Sequence, residues 1–286
     1  MQATIFSPIS CTGVGIHFGR QTIMTLRPSD EGCGIIFKRT DVENSENNIR
    51  AHYQNVQKSY YGTVIYNASE VFVSTIEHLM AALSAIGITN LVVEIDGPEV
   101  PIMDGGSEQF CFMIKSAGVR IQDAKRKTLK IIREVIVRHN DSYVIARPTQ
   151  NLQYNVNYVI DFGLSAIGRQ ELAYTDNCVD FCNQIAPAKT FGNMADIEKL
   201  KTIGMGLGGS LQNTIVIDSN GDKILNSRHL YCKNDFVKHK ILDFIGDIYL
   251  AESYILAGFE CYKSGHTLNN LLLKEIFSDS GNYEYI

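Results

Sequence analysis

At 286 residues, 45% of them apolar and 20% charged, the chain can build one large core or two ordinary ones, and disorder is excluded. A net charge of −5 gives no footprint for nucleic acid or an anionic membrane surface. The seven cysteines (11, 33, 111, 178, 182, 232 and 261) are odd in number and irregularly spaced, which argues against a zinc knuckle and for free thiols in a reducing cytosol.

The first residues lack a basic segment followed by a long apolar one, so no signal peptide is expected. Residues 1–73 read as β-rich, with alternating runs at 22–26 and 34–38. Ser74 opens a helix to about residue 86, and a strand follows at 91–95. The apolar run 79–95 is broken by Ser84, Gly87, Thr89, Asn90 and Glu94, so it reads as core helix and strand rather than a membrane span. Residues 97–101 hold two prolines and form a rigid loop; 107–117 is a second helix. The charged stretch 123–128 is the most convincing linker. Strands are then expected at 129–138, 143–146 and 152–161, helices at 179–185 and 194–201, and a hairpin turn at 219–222. A helix at 236–250, a strand at 258–263 and a helix from 266 to about 277 complete the chain. Strands followed by helices, twice over, predict an α+β fold of two similar domains, 1–124 and 125–286. Each is a mostly antiparallel sheet covered by helices. The protein is expected to be soluble and cytoplasmic.

The helix at 236–250 organises the chemistry. Val237, Ile241, Leu242, Phe244, Ile245, Ile248 and Tyr249 cover more than half of its circumference. His239, Asp243 and Asp247, spaced i, i+4, i+8, share one narrow stripe with Lys240 beside them. On a surface helix that stripe would be the wet side. The breadth of the apolar coverage turns it towards an internal cleft, where such groups are costly without a purpose such as a metal.

Ser74-Thr75-Ile76-Glu77-His78 is a second candidate. Ser-x-x-Glu is also a capping box, which explains Glu77 but not His78. One ligand from this helix and two from the later one give His78, His239 and Asp243. Two imidazoles, one carboxylate and an open position suit a catalytic zinc, and Glu77 suits a general base for its water. A third piece is His266 at a strand-to-helix junction after Gly265. The helix N-terminus would lower its pKa and a carboxylate such as Asp247 would raise it; when cationic, it could stabilise an oxyanion or protonate a leaving amine. Residues 206–210, GLGGS, support a flexible loop against a ligand and no more. Two rivals stand beside this reading: an iron oxygenase using the same donors, and a non-catalytic protein whose polar stripe is an ion-pair network.

In order, these pieces resemble the zinc-dependent UDP-3-O-acyl-N-acetylglucosamine deacetylases of lipid A biosynthesis. The resemblance runs through TGVGIH (12–17), STIEHLMAAL (74–83), GPEVPIMDGG (97–106), Thr190-Phe191-Gly192, GLGGSLQN (206–213), FVKHKILDFIGD (236–247) and YKSGHTLNN (262–270). It implies two domains facing each other with the active site between them, and one zinc there on His78, His239 and Asp243, with iron(II) a possible substitute. It further implies Glu77 as base, His266 as the cationic partner oriented by Asp247, and Thr190 as an oxyanion donor. Lys240, Lys263, Phe162 and Phe191 would meet the nucleotide or sugar, and Ile197, Leu211 and Val216 would line the acyl passage. The implied partner is the acylated UDP-sugar; nucleic acid, stable membrane insertion and oligomerisation are not implied. Lys189, Asn193, Ala195, Gln212 and the segment Tyr60-Tyr61-Gly62 depart from the family's usual residues. They bear on acyl-chain length and inhibitor fit rather than on the reaction.

Overall fold

The computed structural model describes residues 1–43, 46–57, 61–150 and 153–286. Tyr60 and the expected strand start at residue 152 fall outside that set. The fold is α+β, and the same topology occurs twice. In the first half, β1 (Ile9–Val14) and β2 (Gln21–Pro28) form one hairpin, and β3 (Ile35–Arg39) pairs with β4 (Asn48–Arg50). After helix α1 (Glu77–Ile86), strand β5 (Leu91–Ile95) enters between them, antiparallel to β2 and parallel to β3; helix α2 (Glu108–Ala117) follows.

The second half repeats this plan. Strands β6 (Val135–His139) and β7 (Ser142–Arg147) pair, as do β8 (Tyr154–Ile160) and β9 (Gln170–Thr175). Helix α3 (Met194–Thr202) lies in the connection to α4 (Asp235–Ile248). Strand β10 (Tyr254–Tyr262) then enters the centre, antiparallel to β7 and parallel to β8, and α5 (His266–Ser278) follows. The weak repeat seen in the sequence is therefore a repeat of connectivity.

Helices α1 and α4 hold equivalent places in the two halves, and they pack against each other. Every residue of α1 from Glu77 to Leu83 is buried, as is nearly all of α4. A helix enclosed on all sides belongs to a core. Arg50 of β4 also forms a two-pronged ion pair with Glu252 beyond α4, its Nη2 lying 2.9 Å from Oε2. Among the described residues no helix is long and apolar enough to cross a membrane.

Two expectations are corrected. The strand foreseen at 129–138 is two strands: Thr128–Ile131 pairs in parallel with the start of β10, whereas β6 pairs with β7. The chain shifts register partners between them, and Ile132 donates to the Asn282 carbonyl at 2.9 Å. Helix α1 starts at Glu77, not at Ser74. Ser74 is bridged to Glu99 and donates its N–H to Pro98 at 2.8 Å, while Thr75 takes φ 56°. No capping box can form from that backbone, which leaves the Glu77 carboxylate available for other partners.

Candidate active site

Gly246 of α4 is where the two buried helices meet. A Cβ there would lie 2.1 Å from the Glu77 carbonyl oxygen, so only glycine permits the approach. The crossing brings His78 of α1 against His239 and Asp243 of α4, with one ligand-type atom from each inside a 4.8 Å cluster. The imidazoles meet edge to face at 5.0 Å. Asp243 Oδ1 lies 3.6 Å from His78 Nε2 and 3.4 Å from His239 Nε2, and it is buried without a hydrogen-bond partner among the described residues. An orphaned buried carboxylate oxygen facing two ring nitrogens is what a cation site requires. His239 Nδ1 faces the Ala188 carbonyl at 3.0 Å, which fixes the tautomer that leaves Nε2 free. Lys240 donates to the other oxygen of Asp243 at 2.6 Å.

Protonation states agree with this use. Burial drives the His78 pKa down to about 3, with His239 adding to the effect, and burial lowers His239 as well. Burial pushes the Asp243 carboxyl up, but His239 and Lys240 outweigh it and hold it well below the usual carboxylate range. Neutral imidazoles and an ionised carboxylate are the forms that bind metal.

Beside this cluster lies an acid–base pair. Burial pushes Glu77 up to about 7, partly offset by His266. Its Oε2 accepts from the Thr63 N–H at 3.0 Å, and its Oε1 stands 3.8 Å from His266 Nε2. His266 opens α5 and presents Nδ1 to Asp247 Oδ2 at 2.9 Å. Burial would lower its pKa, but Asp247 and Glu77 together raise it to about 9. The sequence left the sign of that shift open; the carboxylates decide it. Asn269 also donates to Asp247 Oδ2, at 2.8 Å.

Of the residues given a site role from the sequence, all but Asp247 line a single cavity of about 1120 Å³; Asp247 stands behind His266. Thr190 lies on it just before the strand Phe191–Asn193, with its backbone held by Gly105 and Ile215. Phe162 and Phe191 meet edge to face at 5.4 Å, and Phe191 continues onto Phe236 and His239. Lys263 reaches Asp141 at 2.9 Å. Ile197, Leu211 and Val216 form an apolar wall with Met194 and Leu200. Of the departures, Lys189 donates to the carbonyls of Asp104 (2.5 Å) and Gln212 (3.2 Å), and Asn193 caps α3 through Ala195 N–H. Sequence reasoning missed Thr63, and gave Glu99 no role of its own. Glu99 is buried and gathers the N–H groups of His17 and Phe18 and the Thr75 hydroxyl. Neither residue sits in a periodic pattern that would reveal it.

Two imidazoles and a carboxylate around one point, with a buried carboxyl alongside and a large cavity in front, are the arrangement of a metal-dependent hydrolase. The chain belongs to the UDP-3-O-acyl N-acetylglycosamine deacetylase family, whose profile matches residues 2–278. It is 38% identical to the UDP-3-O-acyl-N-acetylglucosamine deacetylase of Campylobacter hominis over 285 residues, covering 100% of this chain and 94% of that one. The enzymes of the same name from Phenylobacterium zucineum and Haemophilus influenzae are 41% and 39% identical, covering 96% and 100% of this chain and 92% of each relative.

Proposed function

We propose that the chain removes the N-acetyl group from UDP-3-O-(3-hydroxyacyl)-N-acetylglucosamine, giving the free amine and acetate, the committed step of lipid A biosynthesis. The buried His78, His239 and Asp243 set beside Glu77 carries this reading, in a chain of that family. Those three residues would hold zinc, or iron(II) in its place, and the bound ion would supply Lewis acidity and a water acidic enough to lose a proton near neutral pH. Glu77 takes that proton as the water attacks the acetyl carbonyl. Thr190 donates to the oxygen that becomes negative. His266, cationic and oriented by Asp247, protonates the departing amine. Lys240, Lys263, Phe162 and Phe191 meet the nucleotide and sugar, and Ile197, Leu211 and Val216 take the acyl chain. The enzyme acts as a cytoplasmic monomer, its domains dividing between residues 124 and 125.

The test is acetate release by the purified protein before chelation, after it, and after zinc is restored. Activity should vanish and return. A folded, zinc-loaded sample that releases no acetate would refute the substrate.

The pH profile should be bell-shaped. Glu77 works deprotonated, so turnover rises as pH passes its pKa, about 7 in the protein alone. His266 works protonated, so turnover falls as pH passes about 9. A bound dication lowers both limbs, and the two apparent values belong to the coupled pair. Steady-state kinetics from pH 5 to 10 would show this; a profile still rising at pH 10 would remove His266 as the acid.

A further inference from the structure

We infer that Thr63 is a positioning residue that locks the acid–base pair, coupling the first half of the chain to Asp247 and His266 of the second. The inference rests on the roles proposed above for Glu77 and His266. Thr63 is 3% exposed, and each of its polar groups facing the site is committed. Its N–H donates to Glu77 Oε2 at 3.0 Å, which leaves Oε1 to face the cavity and His266. Gly62 leaves that same Oε1 room, since a Cβ there would sit 3.0 Å from it and the carboxylate would have to give by a few tenths of an ångström. The Thr63 hydroxyl donates to Asp247 Oδ1. With that proton given away, the hydroxyl oxygen turns a lone pair towards His266 Nδ1, 3.3 Å off.

The consequence is a fixed proton order. The Nδ1 proton of His266 is held between Asp247 Oδ2 and Thr63 Oγ1, so the transferable proton of the imidazolium is on Nε2, the nitrogen facing Glu77. Asp247 is held in turn from both halves, by Thr63 on one oxygen and by Asn269 on the other. Without the hydroxyl, Asp247 Oδ1 loses its donor in a buried site, and the carboxylate can rotate away from the imidazole. Thr63 touches no reacting atom in this scheme and acts through its partners.

Thr63→Val keeps the side-chain shape and the N–H to Glu77 while deleting the hydroxyl. It should lower kcat roughly 10–100-fold, the usual cost of losing an outer-shell partner, with KM and bound metal little changed. Thr63→Ser should recover most of that loss. In a His266→Ala background the same Thr63→Val change should cost nothing further, because its route is already gone. Wild-type turnover in Thr63→Val, no recovery with serine, or an equal fold-loss in both backgrounds would each overturn the inference. If the valine variant does not fold, Thr63→Ala against Thr63→Ser in the two backgrounds decides it by the same criteria. An inactive wild-type enzyme would instead refute the proposed reaction, so the two failures are distinguishable.

Discussion

Replacing Glu77 with glutamine should reduce turnover by roughly 10²–10⁴-fold, the span that a positioned general base contributes, while the bound metal stays. The glutamine side chain fits the site: its amide oxygen can still accept the Thr63 N–H that Glu77 Oε2 takes now. What disappears is the proton acceptor at Oε1, the oxygen that faces His266. Burial already makes this carboxyl basic, and that is what fits it to take a proton near neutrality. Metal content should follow His78, His239 and Asp243, none of which is altered. Acetate release and elemental analysis on one preparation would test both halves of the statement. Near-normal turnover would remove Glu77 as the base; loss of metal would show that it shapes the ligand set as well.

Adding one methyl group at Gly246 should be nearly as damaging, for a different reason. The new Cβ in Gly246→Ala would start 2.1 Å from the Glu77 carbonyl oxygen, inside any tolerable contact and against backbone rather than a yielding side chain. Helices α1 and α4 must separate. Overpacking of this kind typically costs about 1–3 kcal/mol, and here the shift falls between His78 on one helix and His239 and Asp243 on the other. Thermal stability and metal affinity should fall together. Gly258→Ala is the matched control, since nothing lies within 4 Å of a Cβ at that position. If the Gly246 variant bound metal as tightly as the parent, the crossing would not be what sets the ligand geometry.

Much of this candidate site was legible because α4 carries its polar groups at helical spacing. His239, Asp243 and Asp247 repeat every four residues against an unusually broad apolar background, and the helix is enclosed as that pattern predicts. The pairing with His78 was accessible as chemistry, one more donor on another apolar helix, and the α+β doubling as an order of elements. What could not be read depends on contacts between residues far apart in the chain. Thr63 meets Asp247 across 184 positions, and an isolated threonine in an extended stretch looks like any other. The Ser74 capping box failed because the carbonyl of Pro98, 24 residues on, takes both the N–H and the hydroxyl proton of Ser74. The strand at 129–138 was misjudged for a related reason: its apolar residues run continuously, but the first of them pair with β10 and the last with β7.

The repeated topology places the donor set across a seam, with His78 on the helix of one repeat and His239 and Asp243 on its counterpart. An ion held by those residues would be a bolt as well as a reagent, fastening together two structural copies that also meet through helix packing, the Arg50–Glu252 ion pair and the Thr63–Asp247 hydrogen bond. A ligand that binds only the assembled form adds stability by mass action, about 2.7 kcal/mol at a hundredfold excess over its dissociation constant. Metal supply and the integrity of the seam are on that account one equilibrium. A compound that strips the ion would loosen the join between the copies as well as stop the chemistry.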